Sequence, residues 1–139
     1  MTTPVLVDTG PLVAFLNQRD RYHTWAADHL AHMAPPLLTC EAVISETCFL
    51  LRSFPSGPIT VLELVDRGLL QTPFRLGDDI VRIKALMSRY ASVPMSLADA
   101  CLVRMAEQYP ASPLLTCDSD FRIYRKHRRH VIATLMPDD

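Results

Sequence analysis

Aspartate residues follow two of the short apolar segments of this 139-residue chain. The run 5–7 ends at Asp8. The run 114–117 ends at Asp118, and Asp120 follows it closely. Short, continuous apolar runs are typical of buried strands in a parallel sheet. Because ligands of such sheets bind beyond the carboxyl ends of the strands, we expect these carboxylates to lie together on one functional edge.

Two further acids belong to predicted helices and lie beside apolar positions. Glu46 falls in the predicted helix 40–52, three residues after Val43, so we expect it at a partly buried position. Asp99 falls in the predicted helix 96–108, whose first two turns carry no other charge. An aspartate inside a helix costs roughly 0.6 kcal/mol relative to alanine, and burying an unpaired carboxylate costs far more. Both side chains therefore need a compensating partner.

Brought together, the four acids of these segments would form a site for a hard divalent cation. They are Asp8, Glu46, Asp99 and Asp118. Carboxylates within a few ångström of one another repel, and at least one takes up a proton unless a metal ion balances the charge. An oxygen-only ligand set, without Cys or His, suits Mg²⁺ or Mn²⁺.

Each acid taken alone also has a purely structural explanation. Asp8 would cap the first helix, and Asp118 or Asp120 would cap a short helix at Phe121. Glu46 and Asp99 would form ion pairs with arginine. The candidate arginines are Arg52, Arg82 and Arg104. The four acids together, at two strand ends and on two apolar helix faces, favour a bound cation.

Short apolar strands alternate with helical patterns, which predicts an α/β fold with a parallel sheet covered on both faces. The predicted strands are 5–7, 37–39, 69–72, 113–116 and 131–133. The first predicted helix begins at Pro11, and the others span 22–33, 40–52, 59–66, 78–90 and 96–108, followed by a short helix within 118–127. Since the sequence contains neither an internal repeat nor a second composition regime, we expect a single domain over residues 1–139.

The composition limits the class of protein and its compartment. With 49% hydrophobic and 21% charged residues, the chain has the composition of a globular domain, and its apolar runs are far shorter than the roughly 20 residues of a membrane helix. No basic residue precedes the first apolar run, so we expect no secretory signal. The four cysteines form no C-x-x-C pair, which favours buried free thiols in the cytoplasm. A net charge of −1 gives no indication of a nucleic-acid partner.

The motifs resemble those of the PIN-domain nucleases, and within them the VapC-type ribonuclease toxins. The resemblance covers nearly the whole chain. It rests on Val7-Asp8-Thr9-Gly10-Pro11-Leu12-Val13, on Glu46, on Leu97-Ala98-Asp99-Ala100 and on Leu115-Thr116-Cys117-Asp118-Ser119-Asp120-Phe121. It implies a three-layer α/β/α sandwich with a central parallel sheet of about five strands.

The resemblance also implies that the four acids hold one or two divalent cations. We expect the three aspartates among them to bind metal directly, whereas Glu46 either binds metal or orients the attacking water. Asp120 corresponds to an auxiliary acidic position. Thr9 and Thr116 correspond to hydroxyl positions that hydrogen-bond to the ligands or contact a phosphate.

The implied activity is metal-assisted hydrolysis of RNA phosphodiester bonds by the toxin of a toxin–antitoxin pair, with a homodimer and a small antitoxin protein as partners. Two other functions stay open: a non-catalytic PIN-like scaffold that binds RNA or protein, and a solitary RNA-processing nuclease. A phosphatase of the haloacid-dehalogenase kind is disfavoured. Asp118-Ser119-Asp120 has its D-x-D form, but that motif belongs after the first strand, and Arg122 replaces its Thr or Val.

A run of basic residues follows the acidic motif. It contains Arg122, Arg125, Lys126, Arg128 and Arg129. We expect Arg122 and Arg125 to hold the phosphate backbone of RNA, although a solvated charged face would give the same pattern. Tyr124, between them, is expected to pack in the core rather than to stack on a base.

Overall fold

A parallel sheet forms the centre of the molecule, whose computed structural model describes residues 3–138. The strands are β1 (Leu6–Val7), β2 (Leu37–Leu38), β3 (Leu70–Gln71), β4 (Leu114–Leu115), β5 (Arg125–Lys126), β6 (His130–Val131) and β7 (Thr134–Leu135). Five of them pair in the order β3-β2-β1-β4-β7, all in parallel. β5 and β6 form a separate antiparallel hairpin.

Helices flank the sheet, as the α/β/α prediction requires. They are α1 (Thr9–Leu16), α2 (His23–Ala31), α3 (Glu41–Leu50), α4 (Gly57–Asp66), α5 (Ile80–Arg89) and α6 (Leu97–Gln108). Two 3₁₀ turns, Leu76–Asp79 and Ser119–Arg122, complete the elements. Leu6 and Val7 are both fully buried, as are Leu114 and Leu115. Because successive residues of a strand point to opposite faces, both faces of the central strands are covered.

The strand order reverses beside β1. From β1 the chain builds outward through β2 to β3, and then crosses to β4 and β7 on the other side of β1. Leu6 pairs with Leu114 and Val7 with Leu115, so the carboxyl ends of β1 and β4 are neighbours. A reversal of this kind opens a crevice at the carboxyl edge of a sheet, and the residues after β1 and β4 lie at that crevice.

The last predicted strand, 131–133, is wrong in position. Val131 pairs with Arg125 in the β5–β6 hairpin and is 64% exposed, so its apolar side chain does not mark a buried strand. The chain rejoins the main sheet only beyond the hairpin, where the Ala133 carbonyl accepts a hydrogen bond from the Leu114 N–H. The fifth strand of the sheet is therefore β7.

Two helices begin two residues earlier than predicted. α1 begins at Thr9 rather than Pro11, because the Asp8 carboxylate accepts a hydrogen bond from the Thr9 N–H. α4 begins at Gly57, with Pro58 in its first turn, where the missing N–H of proline is tolerated.

Other expectations concern cysteines, membranes and the N-terminus. The four cysteines are free; Cys40 and Cys101 are buried, whereas Cys48 and Cys117 are only half-buried. Within residues 3–138, every helix is too short or too polar to span a bilayer. The expectation that a secretory signal is missing depends partly on the first two residues, which lie outside the described part of the chain.

Candidate metal centre

Carboxylates from three distant segments meet at the carboxyl edge of the sheet. Asp8 follows β1, Asp118 follows β4, and Asp99 lies in the first turn of α6. One oxygen atom of each residue lies within 4.8 Å of the corresponding atoms of the other two. The structure thus brings together the three aspartates that the sequence predicts as direct metal ligands.

Asp8 is the most enclosed of the three, with 6% of its surface exposed. Its Oδ1 accepts a hydrogen bond of 2.7 Å from the Thr9 N–H at the start of α1. Its Oδ2 accepts one of 2.8 Å from the Thr116 hydroxyl. Asp8 therefore caps α1, as the structural explanation expects, and at the same time presents its carboxylate to the other two acids.

Thr116 links the two strand ends. Its buried hydroxyl donates to Asp8 and accepts a 3.0 Å hydrogen bond from the Asp118 N–H. The Asp118 carboxylate in turn accepts a 2.9 Å hydrogen bond from the Asp120 N–H, which caps the following 3₁₀ turn. The hydrogen-bonding role predicted for Thr116 matches this geometry, and the two strand-end carboxylates are held in one network.

Asp99 is fixed from two sides. Its N–H donates to the hydroxyl of Ser96, which caps α6, over 3.0 Å. Its Oδ2 accepts a 2.9 Å hydrogen bond from the hydroxyl of Tyr124. The predicted alternative of an ion pair with Arg104 is not observed, because that side chain binds Asp79 and Glu107 instead.

The electrostatics of the cluster oppose ionisation of its carboxyl groups. Burial raises the pKa of Asp8 to about 6, and repulsion from Asp99 and Asp118 adds to the rise. The hydrogen bonds of Asp8 with Thr116 and Thr9 lower its pKa, but by less. Burial also raises the pKa of Asp99, with a further contribution from Asp118. A positive charge at the centre of the cluster would relieve both costs.

The three aspartates open into a cleft of about 500 Å³. Glu46 and Leu50 line it from α3, and Asp20 and Tyr22 line it from the loop between α1 and α2. Among the described residues, the lining of the cleft contains no Lys or Arg. The acidic character of the cleft is therefore not neutralised by a basic side chain in its wall.

The expected burial of Glu46 is wrong. The buried stripe of α3 consists of Val43 and Thr47, and Glu46 lies on the neighbouring, exposed side of the helix. It faces the cleft but is outside the close set of three aspartate oxygens.

The remaining predicted site residues lie at the margin of the cleft or away from it. Thr9 lines it, but its buried hydroxyl has no hydrogen-bond partner within residues 3–138. Asp120 is neither in the close set nor in the cleft lining. Arg122 and Arg125 do not line the cleft either. The guanidinium of Arg125 instead donates to main-chain carbonyls, including that of Arg122 at 2.6 Å.

Sequence reasoning missed two contributors to the site. Tyr124 is fully buried, as expected, but its hydroxyl contacts Asp99, and no local pattern signals a hydrogen bond between residues 25 positions apart. Asp20 lines the cleft, and its carboxylate also accepts a hydrogen bond from the Tyr22 N–H. That second contact is typical of aspartates in turns, so the sequence around Asp20 indicates only a turn and not a place in the site.

The donor set fits a hard divalent cation. All three close ligand atoms are carboxylate oxygens, as Mg²⁺ and Mn²⁺ prefer. The Asp118 Oδ1 accepts the Asp120 N–H and the Asp99 Oδ2 accepts the Tyr124 hydroxyl. These hydrogen bonds fix the orientation of the two carboxylates towards the centre of the cluster.

Comparison with known proteins agrees with the fold described above. A family model described as the PIN domain matches residues 5–127. The structure is similar to the crystal structure of VapC20 from Mycobacterium tuberculosis, a toxin described as cleaving the Sarcin-Ricin loop. The TM-score is 0.75 at 20% sequence identity, and the match covers 84% of this chain and 91% of that one. No curated protein sequence matches the chain. At this identity, the structural likeness concerns the fold.

Proposed function

Because the chain belongs to the PIN-domain family, we propose that it is an endoribonuclease that depends on Mg²⁺ or Mn²⁺. The observation that carries the proposal is the convergence of three aspartate carboxylates within 4.8 Å. They lie at the point where the strand order reverses, in a cleft without Lys or Arg in its described lining. Such a site attracts a divalent cation and, through it, a phosphate group.

Asp8, Asp99 and Asp118 would hold the cation. When bound, it supplies Lewis-acid chemistry: it acidifies water and balances the charge that develops on phosphate oxygens during hydrolysis. The protein contributes fixed geometry, because each aspartate is oriented by a hydrogen bond from a different element. Thr116 links the Asp8 carboxylate to the Asp118 main chain, which holds the two strand ends together.

We assign Glu46 the proton-transfer role. Its carboxylate is exposed, lines the same cleft and is outside the close set of three. A carboxylate in that position is accessible to a water molecule beside the phosphate and accepts its proton as the water attacks. In-line attack on phosphorus would then release the 3′ oxygen of the preceding nucleotide.

The test is cleavage of a labelled RNA by the purified protein with Mg²⁺, with Mn²⁺ and with EDTA. Cleavage is expected only with metal, and Asp8→Asn and Asp99→Asn are each expected to abolish it. Asp66→Asn, at the exposed end of α4, is the matched control because it removes the same charge outside the cleft. Undiminished cleavage by the Asp8 and Asp99 variants would refute the assignment. A folded parent that neither binds Mn²⁺ nor cleaves RNA would favour the non-catalytic scaffold.

We further propose that the enzyme is the toxin of a toxin–antitoxin pair. Large apolar side chains are exposed on α3 and α4, including Phe49 at 60% and Ile59 at 66%. Leu50, also exposed, extends this apolar character into the acidic cleft. A small antitoxin that covers these helices would bury apolar area and close the cleft together. A homodimer belongs to the same proposal.

Expression in cells tests the toxin role. Growth arrest that requires Asp99 and is relieved by co-expression of a short neighbouring gene is the expected result. Arrest that no neighbouring gene relieves would favour a solitary RNA-processing nuclease. Light scattering of the purified protein determines its mass, and a mass of one chain at all concentrations would rule out the homodimer.

A further inference from the structure

A second groove, distinct from the acidic cleft, carries three arginines. It has a volume of about 350 Å³ and lies between α5, α6 and the turn of the β5–β6 hairpin. Arg82 and Arg89 line it from α5, and Arg128 lines it from the hairpin turn. Since Arg82 and Arg89 are seven residues apart, close to two helical turns, they lie along the same face of α5. Ala85 and Leu86 lie between them and form part of an apolar wall.

The side chains of the three groove arginines do not stabilise the fold through polar contacts within residues 3–138. All three are exposed, and none forms an ion pair or a side-chain hydrogen bond within residues 3–138. Other exposed arginines do have partners: Arg67 binds Glu63 over 2.8 Å, and Arg75 binds Asp78 over 3.2 Å. The groove is therefore lined by three guanidinium groups whose N–H donors are available to a ligand.

Among the described residues, one carboxylate lines the groove, and it does not neutralise these arginines. Glu107 accepts a hydrogen bond from Arg104 over 3.2 Å through one oxygen. Its other oxygen accepts a 2.6 Å hydrogen bond from the His127 N–H. Both oxygens are thus committed, and the second contact anchors the hairpin turn on α6. The groove keeps its positive character.

Arg128 occupies a backbone conformation that an arginine rarely adopts. Its φ is 68°, and that of His127 is 49°. Turns with such angles strongly favour glycine, asparagine or aspartate, because a larger side chain crowds the backbone in the left-handed region. Strained positions of this kind cluster at functional sites, and here the strain accompanies a side chain that projects a positive charge into the groove.

Two aromatic residues pack between the groove and the acidic cleft. Tyr90, next to Arg89, packs edge-on against Tyr124 with ring centroids 5.1 Å apart. The Tyr124 hydroxyl then contacts Asp99. We propose that the groove of Arg82, Arg89 and Arg128 binds phosphates of the RNA strand outside the acidic cleft. This inference rests on the proposed function, because it assumes that RNA is the substrate.

Binding of a labelled single-stranded RNA of 20 nucleotides, measured by fluorescence anisotropy in EDTA, tests the groove without cleavage. Each phosphate contact contributes roughly 0.7 to the slope of log K against log salt for single strands. Changing all three arginines to glutamine is therefore expected to lower that slope by about two and to weaken binding roughly fifty-fold at about 0.15 M salt. The matched control is Arg52→Gln/Arg67→Gln/Arg75→Gln, which removes three exposed arginines that have partners within the chain.

Two results would overturn the inference. One is a loss of affinity in the groove variant no larger than that in the control. The other is tighter groove-dependent binding of poly-glutamate than of RNA, which would make the groove a docking site for an acidic protein. With Mn²⁺ present, the groove variant is expected to raise KM on the 20-nucleotide RNA with little change in kcat, and to leave cleavage of a trinucleotide unchanged. Groove-dependent RNA binding without any cleavage would refute only the nuclease proposal.

Discussion

Replacing Asp8 by asparagine is expected to stabilise the metal-free protein at neutral pH. The parent must hold an ionised carboxylate at a position that is 6% exposed. Burial, together with repulsion from Asp99 and Asp118, raises the pKa of this carboxyl from 3.8 to about 6. The charge of Asp8 is thus a cost to folding that a bound cation offsets and that a neutral side chain avoids.

The sign of the pH dependence follows from the raised pKa. The folded protein holds the Asp8 proton more tightly than the unfolded chain does, so this residue favours folding most at low pH. Its contribution to the free energy of unfolding falls as the pH rises from about 4 through 6 and is constant above that. The difference between the two pKa values corresponds to about 3 kcal/mol at pH 7.5.

The pKa of about 6 already includes the effect of hydrogen bonding. The carbonyl oxygen of asparagine still accepts the Thr9 N–H, but its amide group faces the Thr116 hydroxyl and cannot accept the proton that this hydroxyl donates to Asp8. The Thr116 hydrogen bond lowers the pKa of Asp8, so its loss is contained in the difference of about 3 kcal/mol. The stabilisation by Asp8→Asn is therefore about 3 kcal/mol, or about 9 °C in Tm for a chain of this length.

Thermal unfolding of the parent, Asp8→Asn and Asp66→Asn, in EDTA and between pH 4 and pH 8, measures this effect. The Asp8 variant is expected to have the higher Tm at pH 7.5, and its advantage over the parent is expected to disappear towards pH 4. With Mn²⁺ at about 1,000 times its Kd, the parent gains about 4.1 kcal/mol, so the order of the two proteins reverses. The Asp66 variant is expected to follow the parent throughout.

Either of two results would refute the reasoning. A lower Tm for Asp8→Asn in EDTA at pH 7.5 would mean that the hydrogen bonds of Asp8 outweigh the cost of burying its charge. An equal gain from Mn²⁺ in the variant and the parent would mean that Asp8 does not hold the metal.

Three further substitutions separate the roles of the site residues. Glu46→Gln is expected to keep the rise in Tm with Mn²⁺ but to lower kcat by roughly 10²-fold or more, since proton transfer is lost; loss of Mn²⁺ binding would make Glu46 a ligand instead. Tyr124→Phe keeps the buried ring but removes the hydrogen bond to Asp99, and is expected to weaken Mn²⁺ binding by roughly tenfold in a calorimetric titration. Gly10→Ala would place a Cβ 3.0 Å from that of Cys117, and is expected to destabilise the protein by about 1–3 kcal/mol in chemical unfolding. Unchanged stability would show that the segment after β4 adjusts freely.

The three clustered aspartates are the most predictable part of the site. Asp8 and Asp118 each follow a short buried strand, and parallel strands place such residues at one edge. Asp99 stands out because a charge on an otherwise apolar helical segment needs a partner. The strands before Asp8 and Asp118 are direct neighbours because of the strand order, and no local pattern of the sequence contains that order.

The errors have a common physical origin in tertiary contacts. Glu46 has helical spacing from buried residues, but the width of the buried stripe depends on which elements pack against α3. The apolar run at 131–133 predicts a strand of the main sheet, but Val131 pairs with Arg125 and belongs to the antiparallel hairpin. The guanidinium of Arg125 binds carbonyls within its own turn, and its contact with RNA stays a prediction. In each case, the residue types of the segment alone do not decide its environment. The environment depends on contacts with distant segments or on the conformation of the local turn.

The separation of charge explains how a chain with a net charge of −1 could bind RNA. If the proposed function holds, the acidic cleft without metal would repel a phosphate backbone, and the arginine groove would attract it. A divalent cation bound in the cleft would reverse the sign of the field there and would let the same strand enter. Metal and RNA would then favour the binding of each other, and because such coupling is reciprocal, RNA would raise the affinity for metal by the factor by which metal raises the affinity for RNA. Cleavage of a long RNA would then use both sites, whereas a trinucleotide would need only the metal-loaded cleft.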